Sequence, residues 1–411
     1  MTQPLAPSTS SPPAWTPSLA RAAHALRVQF FLAGLMFATW GVHVPTVKAH
    51  YGLGEQGLGL AMLTAGLGAL GALSLAGRVI GRWGPRTVAA VTGGLCALVV
   101  GSLLLPGQVP GLVALLVVYG AAGSLFDVAL NAEATEIEAR GGRTLMSGFH
   151  GMFSVGGMVG AGVGSLLPVL GWTPAGHLAG STLVGLALVA LSWPHMLPLP
   201  PQAGGDEGAP ADADAAPRLG LPRGRLALIG LLAALGLISE GAMYDWSVLF
   251  LKQERGAGLS LAALGYAAFS AAMALGRFGG DALRARWRPA TLVQASGGLA
   301  ALGMTLALLW PHPLAGVAGF TLVGLGLSGV VPVLFSAAAQ VPGVSAAHGI
   351  AAVSSVAYLG MMAGPPLIGL VAQQRSLTQG LLTVVLYASV MALAANRALG
   401  PIGRPGQAPD R

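Results

Sequence analysis

The chain has 411 residues, 54% hydrophobic and only 9% charged, with a mean hydropathy of +0.72. Soluble domains carry roughly 25% charged residues, so the composition excludes a water-soluble fold and reads as an integral membrane protein. The formal charge of +7 does not indicate a nucleic-acid binder, because that needs a clustered basic face and these basic residues stand singly between apolar runs. The single cysteine, Cys96, lies inside an apolar run, which excludes a disulfide framework and a cysteine-based metal site. His24, His50, His177, His195, His312 and His348 show no metal-ligand spacing, and neither a metal nor a cofactor is expected.

In chain order, residues 1–25 are rich in Pro, Ser and Thr without the apolar core of a signal peptide, and read as a disordered cytoplasmic tail. A spanning helix needs about 20 mainly apolar residues. On that ruler twelve spans are predicted: 26–47, 56–77, 87–105, 111–134, 145–168, 176–197, 225–250, 259–280, 290–310, 313–337, 346–372 and 378–399. The one long break, 198–224, holds Pro, Gly, Asp206, Glu207, Asp212 and Asp214, and reads as a flexible cytoplasmic linker. It divides the chain into six-helix halves at 26–197 and 225–399, with a second cytoplasmic tail at 400–411.

Orientation follows from the basic residues. With the N-terminus inside, 17 of the 21 Lys and Arg fall on the cytoplasmic side, leaving only Lys48, Lys252, Arg255 and Arg375 outside. Shifting one pair of boundaries would destroy that asymmetry. Both termini are therefore expected in the cytoplasm.

The halves repeat. Gly77-Arg78 matches Gly276-Arg277, Arg82-Trp83 matches Arg286-Trp287, Pro85 matches Pro289 and Gly93-Gly94-Leu95 matches Gly297-Gly298-Leu299. The later matches share one offset of 204 residues. Repeated six-helix halves put a substrate site at their interface near the bilayer midplane.

The stretch Gly77-Arg78-Val79-Ile80-Gly81-Arg82-Trp83-Gly84-Pro85-Arg86 resembles the 2–3 loop signature of the major facilitator superfamily, with Gly81 where that family usually has Asp. The second copy offers Gly276, Arg277, Asp281 and Arg286. The resemblance implies that these two loops steady the closed cytoplasmic face. Asp127-Val-Ala-Leu-Asn131, Leu145-Met-Ser-Gly-Phe-His150, Glu240-Gly-Ala-Met-Tyr244-Asp245-Trp246 and Tyr358-Leu-Gly-Met-Met-Ala-Gly364-Pro365-Pro366 resemble its YbjJ-type bacterial inner-membrane branch.

A carboxylate in hydrocarbon costs at least about 2.5 kcal/mol, so it survives where it faces a cavity, a partner or a pathway. Asp127 and Asn131 are four residues apart and share a helix face. Asp127 is expected roughly 10 Å above the end of its span, at the depth of His150. An Asp127–His150 pair would then gain or lose a proton as the cavity changes access; a static polar contact is the alternative. Glu240 and Asp245 are five residues apart, or about 140° around the helix, so they cannot both face one cavity centre. The resemblance favours Glu240 with Tyr244 as ligand contacts and leaves Asp245 as an outer-gate or interhelix group beside Trp246. Trp40 and His43 are candidate caps of the cavity, and Tyr358 a candidate hydrogen-bonding group. Glu133, Glu136 and Glu138, with Arg140 and Arg143, read as a solvated helix end, and Pro365-Pro366 as a bend.

The expectation is an all-α membrane protein of twelve transmembrane helices in two pseudo-symmetric six-helix bundles. It is a secondary transporter, with no enzyme chemistry, moving a small organic solute across a bacterial inner membrane. Its expected partners are the solute, the proton and membrane lipid, with no nucleic acid, and it is expected to act as a monomer. An efflux antiporter, an uncoupled facilitator and a non-transporting sensor stay open as alternatives. No Gly-x-x-x-x-Gly-Lys-Ser/Thr loop is present to bind ATP.

Overall fold

The structure, a computed structural model, describes residues 15–143, 145–198, 223–342, 344 and 346–400. Most of the two expected tails and of the linker lies outside these residues, as does the side chain of Asp281. The described regular elements are all helical. The first half holds α1 (Pro17–His50), α2 (Glu55–Trp83), α3 (Pro85–Ser102), α4 (Val109–Gly141), α5 (Met146–Leu166) and α6 (Pro174–Ser192). The second holds α7 (Gly224–Glu254), α8 (Leu259–Arg286), α9 (Pro289–Leu309), α10 (Pro313–Leu327), α11 (Val330–Ala338), α12 (Ala346–Gln374) and α13 (Leu377–Leu399).

Local chemistry sets the boundaries. Proline, whose missing N–H costs nothing in a first turn, opens α1, α3, α4, α6, α9 and α10. The hydroxyls of Thr16, Thr173 and Ser376 accept a backbone N–H at the starts of α1, α6 and α13. Gly84, at φ 75°, makes the sharp turn from α2 into α3, a conformation that side chains rarely adopt. The Thr16-Pro17 cap starts α1 ahead of the expected limit at 26, so residues 17–25 belong to the helix rather than to a tail, and Ala22, Ala23 and Ala25 are buried. α4 likewise runs on past 134 to Gly141. The expected tenth span breaks into α10 and α11 at Ser328-Gly329, because Pro332 has no N–H to bond the Ser328 carbonyl. α12 runs as one helix through Pro365 and Pro366.

Among the described residues, eleven helical stretches are long and apolar enough to cross a membrane, with α10 and α11 joined as one. The twelfth is α5, whose 21 residues suffice in length but include seven glycines and His150. Those glycines let backbones touch: a side chain at Gly34 would collide with the Phe153 carbonyl, and one at Gly156 with that of Phe31.

The two halves share one packing scheme. In the first, α1 packs on α5 and α6, α4 on α2 and α3, and α3 on α6. In the second, α7 packs on α12 and α13, α10 on α8 and α9, and α9 on α13. The halves meet along α5 against α8 and α2 against α12, with α1 touching α7. The contact is close on the face that carries the α1–α2 turn: Gly59 lies against the Pro365 carbonyl, and Gly369 against the Glu55 carbonyl and Trp246. Ser165 Oγ donates to the Ser260 carbonyl at 2.6 Å there. On the opposite face, where α1 begins, positions 71, 77 and 81 of α2 look onto open space.

Candidate functional site

At mid-depth, polar side chains from both halves converge. In α4, Asn131 Nδ2 donates to the Asp127 carbonyl at 2.9 Å and to the Asp127 carboxylate at 3.1 Å. This is the i, i+4 geometry that the spacing predicted. His150 Nε2 lies 3.2 Å from Asn131 Oδ1. The expected direct Asp127–His150 pair is therefore replaced by a chain of three in which Asn131 is the middle member.

The second half supplies Glu240 and Arg277. Arg277 Nη2 donates to Glu240 Oε1 at 2.9 Å, and its Nη1 donates to Ser154 of α5 at 3.1 Å. One guanidinium thus ties α8 to α7 in its own half and to α5 in the other. His150 lies within Coulombic range of Arg277, and Tyr358 within range of both Asp127 and Glu240. Tyr244 reaches Glu240 with its hydroxyl.

Asp127 stands eleven residues before Glu138, or roughly 16 Å at 1.5 Å per residue. Glu138 marks the level of the first turn of α5, since its carboxylate accepts the N–H groups of Leu145 and Met146. That separation exceeds the expected 10 Å because α4 continues past the predicted limit at 134 to Gly141. Asp127 is nevertheless exposed, and Tyr358 is 48% exposed, so the space between the halves reaches them.

Asp245 points away from Glu240, as the helix angle requires. Its carboxylate takes a hydrogen bond from Trp40 of α1, and its charge is felt at the hydroxyls of Tyr119 of α4 and Tyr266 of α8. Trp246 is fully buried. His43 packs inside the first half, its Nε2 2.9 Å from Nδ1 of His177 in α6.

The expected gate residues separate. Gly77 and Arg78 are exposed near the end of α2, Arg82 lies 5.7 Å from the Trp83 ring, and Arg86 lies 5.3 Å from that of Trp193. Arg286 ends α8 and is exposed. Gly276 and Arg277 are not loop residues: both sit within α8, Gly276 against Ser328, with Arg277 turned into the site. Nor is the acidic end of α4 simply solvated. Glu133 is fully buried and accepts the Leu197 N–H at 2.8 Å, and Glu138 caps α5. Sequence reasoning missed Ser154, Tyr119 and Tyr266, which carry no motif, and misplaced Arg277. The predicted limits 259–280 already put Arg277 inside a span.

Two matched six-helix halves enclosing an accessible charged cluster define a polytopic transporter architecture. The chain belongs to the Major Facilitator Superfamily, whose sequence model matches residues 28–365. It is 36% identical to an uncharacterized MFS-type transporter of Yersinia pestis, over 90% of this chain and 94% of the relative. It is 32% identical to the membrane protein MosC of Rhizobium meliloti, over 90% and 88%. Its fold is similar to that of a D-xylose–proton symporter, at a TM-score of 0.73 and 14% identity, covering 92% of this chain and 97% of that one. It also resembles the nucleoside transporter NupG, at 0.69 and 15%, covering 94% and 100%. The protein is a multi-pass membrane transporter of that superfamily.

Proposed function

We propose that this transporter moves a small organic solute across a bacterial inner membrane by alternating access, coupled to protons, as a monomer with both termini in the cytoplasm. The observation that carries the reading is the Arg277 guanidinium, bonded at once to Glu240 of its own half and to Ser154 of the other. Rocking of residues 26–197 against 225–399 has to break or re-form that junction. Asp127, Asn131 and His150 form a hydrogen-bonded chain beside it that holds one proton when the cavity faces one side of the membrane and releases it to the other. Glu240, Tyr244 and Tyr358 contact the solute, while Trp40, Asp245 and Trp246 belong to the outer end of the pathway; His43, held inside the first half by His177, is not part of it. Gly77, Arg78, Arg82, Gly84, Arg86, Gly276, Asp281 and Arg286 steady the cytoplasmic face. The excess of basic residues on the side of the termini supports the orientation.

The test is uptake into proteoliposomes over a panel of sugars, amino acids and organic cations, with and without an imposed pH gradient. Accumulation of one solute class only with the gradient is the expected result; accumulation indifferent to the gradient contradicts the coupling.

A further inference from the structure

We infer that the cleft between the start of α7 and the end of α13 binds the phosphate of an anionic phospholipid. This open cleft, of about 580 Å³, is lined by Arg225 and Leu228 of α7 and by Asn396, Arg397 and Gly400 at the end of α13. Two guanidinium groups therefore share one concavity. Arg225 is fixed there: its Nε donates to the Ala398 carbonyl at 2.9 Å and its Nη2 to that of Gly400 at 2.5 Å. Arg397 is exposed. Among the described residues no carboxylate pairs with either arginine. Carbonyl oxygens orient a guanidinium without cancelling its charge, so the cleft keeps two positive charges. The planar fork of N–H donors on arginine matches the oxygens of a phosphate, and the Asn396 amide adds a further donor at the same rim.

The surface of α13 points to a lipid as the source of that phosphate. Leu382, Leu386 and Leu393 are 48%, 58% and 81% exposed. At 100° per residue these three and Arg397 fall within about 60° of one another around the helix. In a chain that spans the bilayer such a stripe faces acyl chains. Arg397, about 6 Å beyond Leu393 along the axis, stands where those chains give way to headgroups. A free phosphate would use the cleft alone, whereas a phospholipid uses the cleft and the stripe together. Acidic headgroups collect at basic pockets between the ends of transmembrane helices. A zwitterionic phospholipid carries its own cation and gains less from two arginines. The site needs only a membrane-spanning chain, and stands whether or not transport is coupled to protons.

Thermal unfolding of the purified full chain in detergent, at constant ionic strength, tests this. The probes are phosphatidylglycerol, phosphatidylcholine and diacylglycerol with the same acyl chains, and inorganic phosphate. Ligands that bind the folded state raise Tm with concentration. The expected result is a saturable rise with phosphatidylglycerol and little with the other two lipids or with phosphate alone. Arg397→Gln should weaken the phosphatidylglycerol response roughly tenfold, and Arg225→Gln at least as much. Arg397 is exposed, which keeps the test decisive if Arg225→Gln does not fold. Arg375→Gln, at an exposed position by the other end of α13, should leave the response unchanged. Equal response to all three lipids, no response to phosphatidylglycerol, or an undiminished response in Arg397→Gln overturns the inference. So does a full response to inorganic phosphate alone, which would make the cleft a site for a soluble anion.

Discussion

Glu240 of α7 and Arg277 of α8 hold each other at 2.9 Å, with side chains only 13% and 26% exposed. Breaking such a pair by removing one partner strands the other charge, which costs about 3 kcal/mol or more. Glu240→Gln and Arg277→Gln should therefore each destabilise by roughly that amount, and the double substitution by clearly less than their sum. Thermal melts of the three purified variants check this; additive losses would mean that the two groups act independently.

Asn131 separates Asp127 from His150. Asn131→Ala removes both hydrogen bonds, at 3.1 and 3.2 Å, but leaves the two titratable groups in place. Accumulation driven by a pH gradient should fall at least to a tenth, while exchange of solute between equal concentrations on both sides continues. Comparing gradient-driven uptake with counterflow separates the outcomes, and unchanged uptake would make Asn131 a bystander.

Glu133 acts on stability alone. Its buried carboxylate holds the Leu197 N–H at the point where the first half ends. Losing that acceptor leaves a buried donor unsatisfied, at about 1–3 kcal/mol. Glu133→Ala should lower Tm without changing the KM for transport, and Glu133→Gln, which keeps an acceptor oxygen, should recover most of the loss.

The glycines of α5 are unequal. A side chain at Gly156 meets the Phe31 carbonyl of α1, whereas one at Gly162 meets nothing within 4 Å. Gly156→Val should abolish folded, extractable protein, and Gly162→Ala should be tolerated or stabilising by up to about 1 kcal/mol. Size-exclusion profiles after detergent extraction distinguish the two.

What the sequence made legible follows from what is local in it. Hydropathy and helix period put Asp127, Asn131 and Glu240 inside spans, and the i, i+4 relation of the first two holds in space. The repeat around Gly77 and Gly276 anticipated matched halves, whose helices pair by one scheme. Long-range partners left no such trace. Glu133 looked solvated because its partner, the Leu197 N–H, is 64 residues away. Arg277 was counted as a surface cation because charge counting gives every arginine to water, although a long side chain one or two turns inside a helix can turn inward. The break before α11 was visible in Gly329 and Pro332, but a ruler of length and hydropathy does not register it. His43 and His177 meet across 134 residues with no motif between them.

The central claim is that proton and solute movements are linked at the junction of the two halves. Recording internal pH in proteoliposomes as solute is added tests it directly. The account predicts a solute-dependent proton flux in the unaltered protein that disappears in Asp127→Asn. Solute crossing without any proton movement, or an undiminished proton flux in Asp127→Asn, would contradict it.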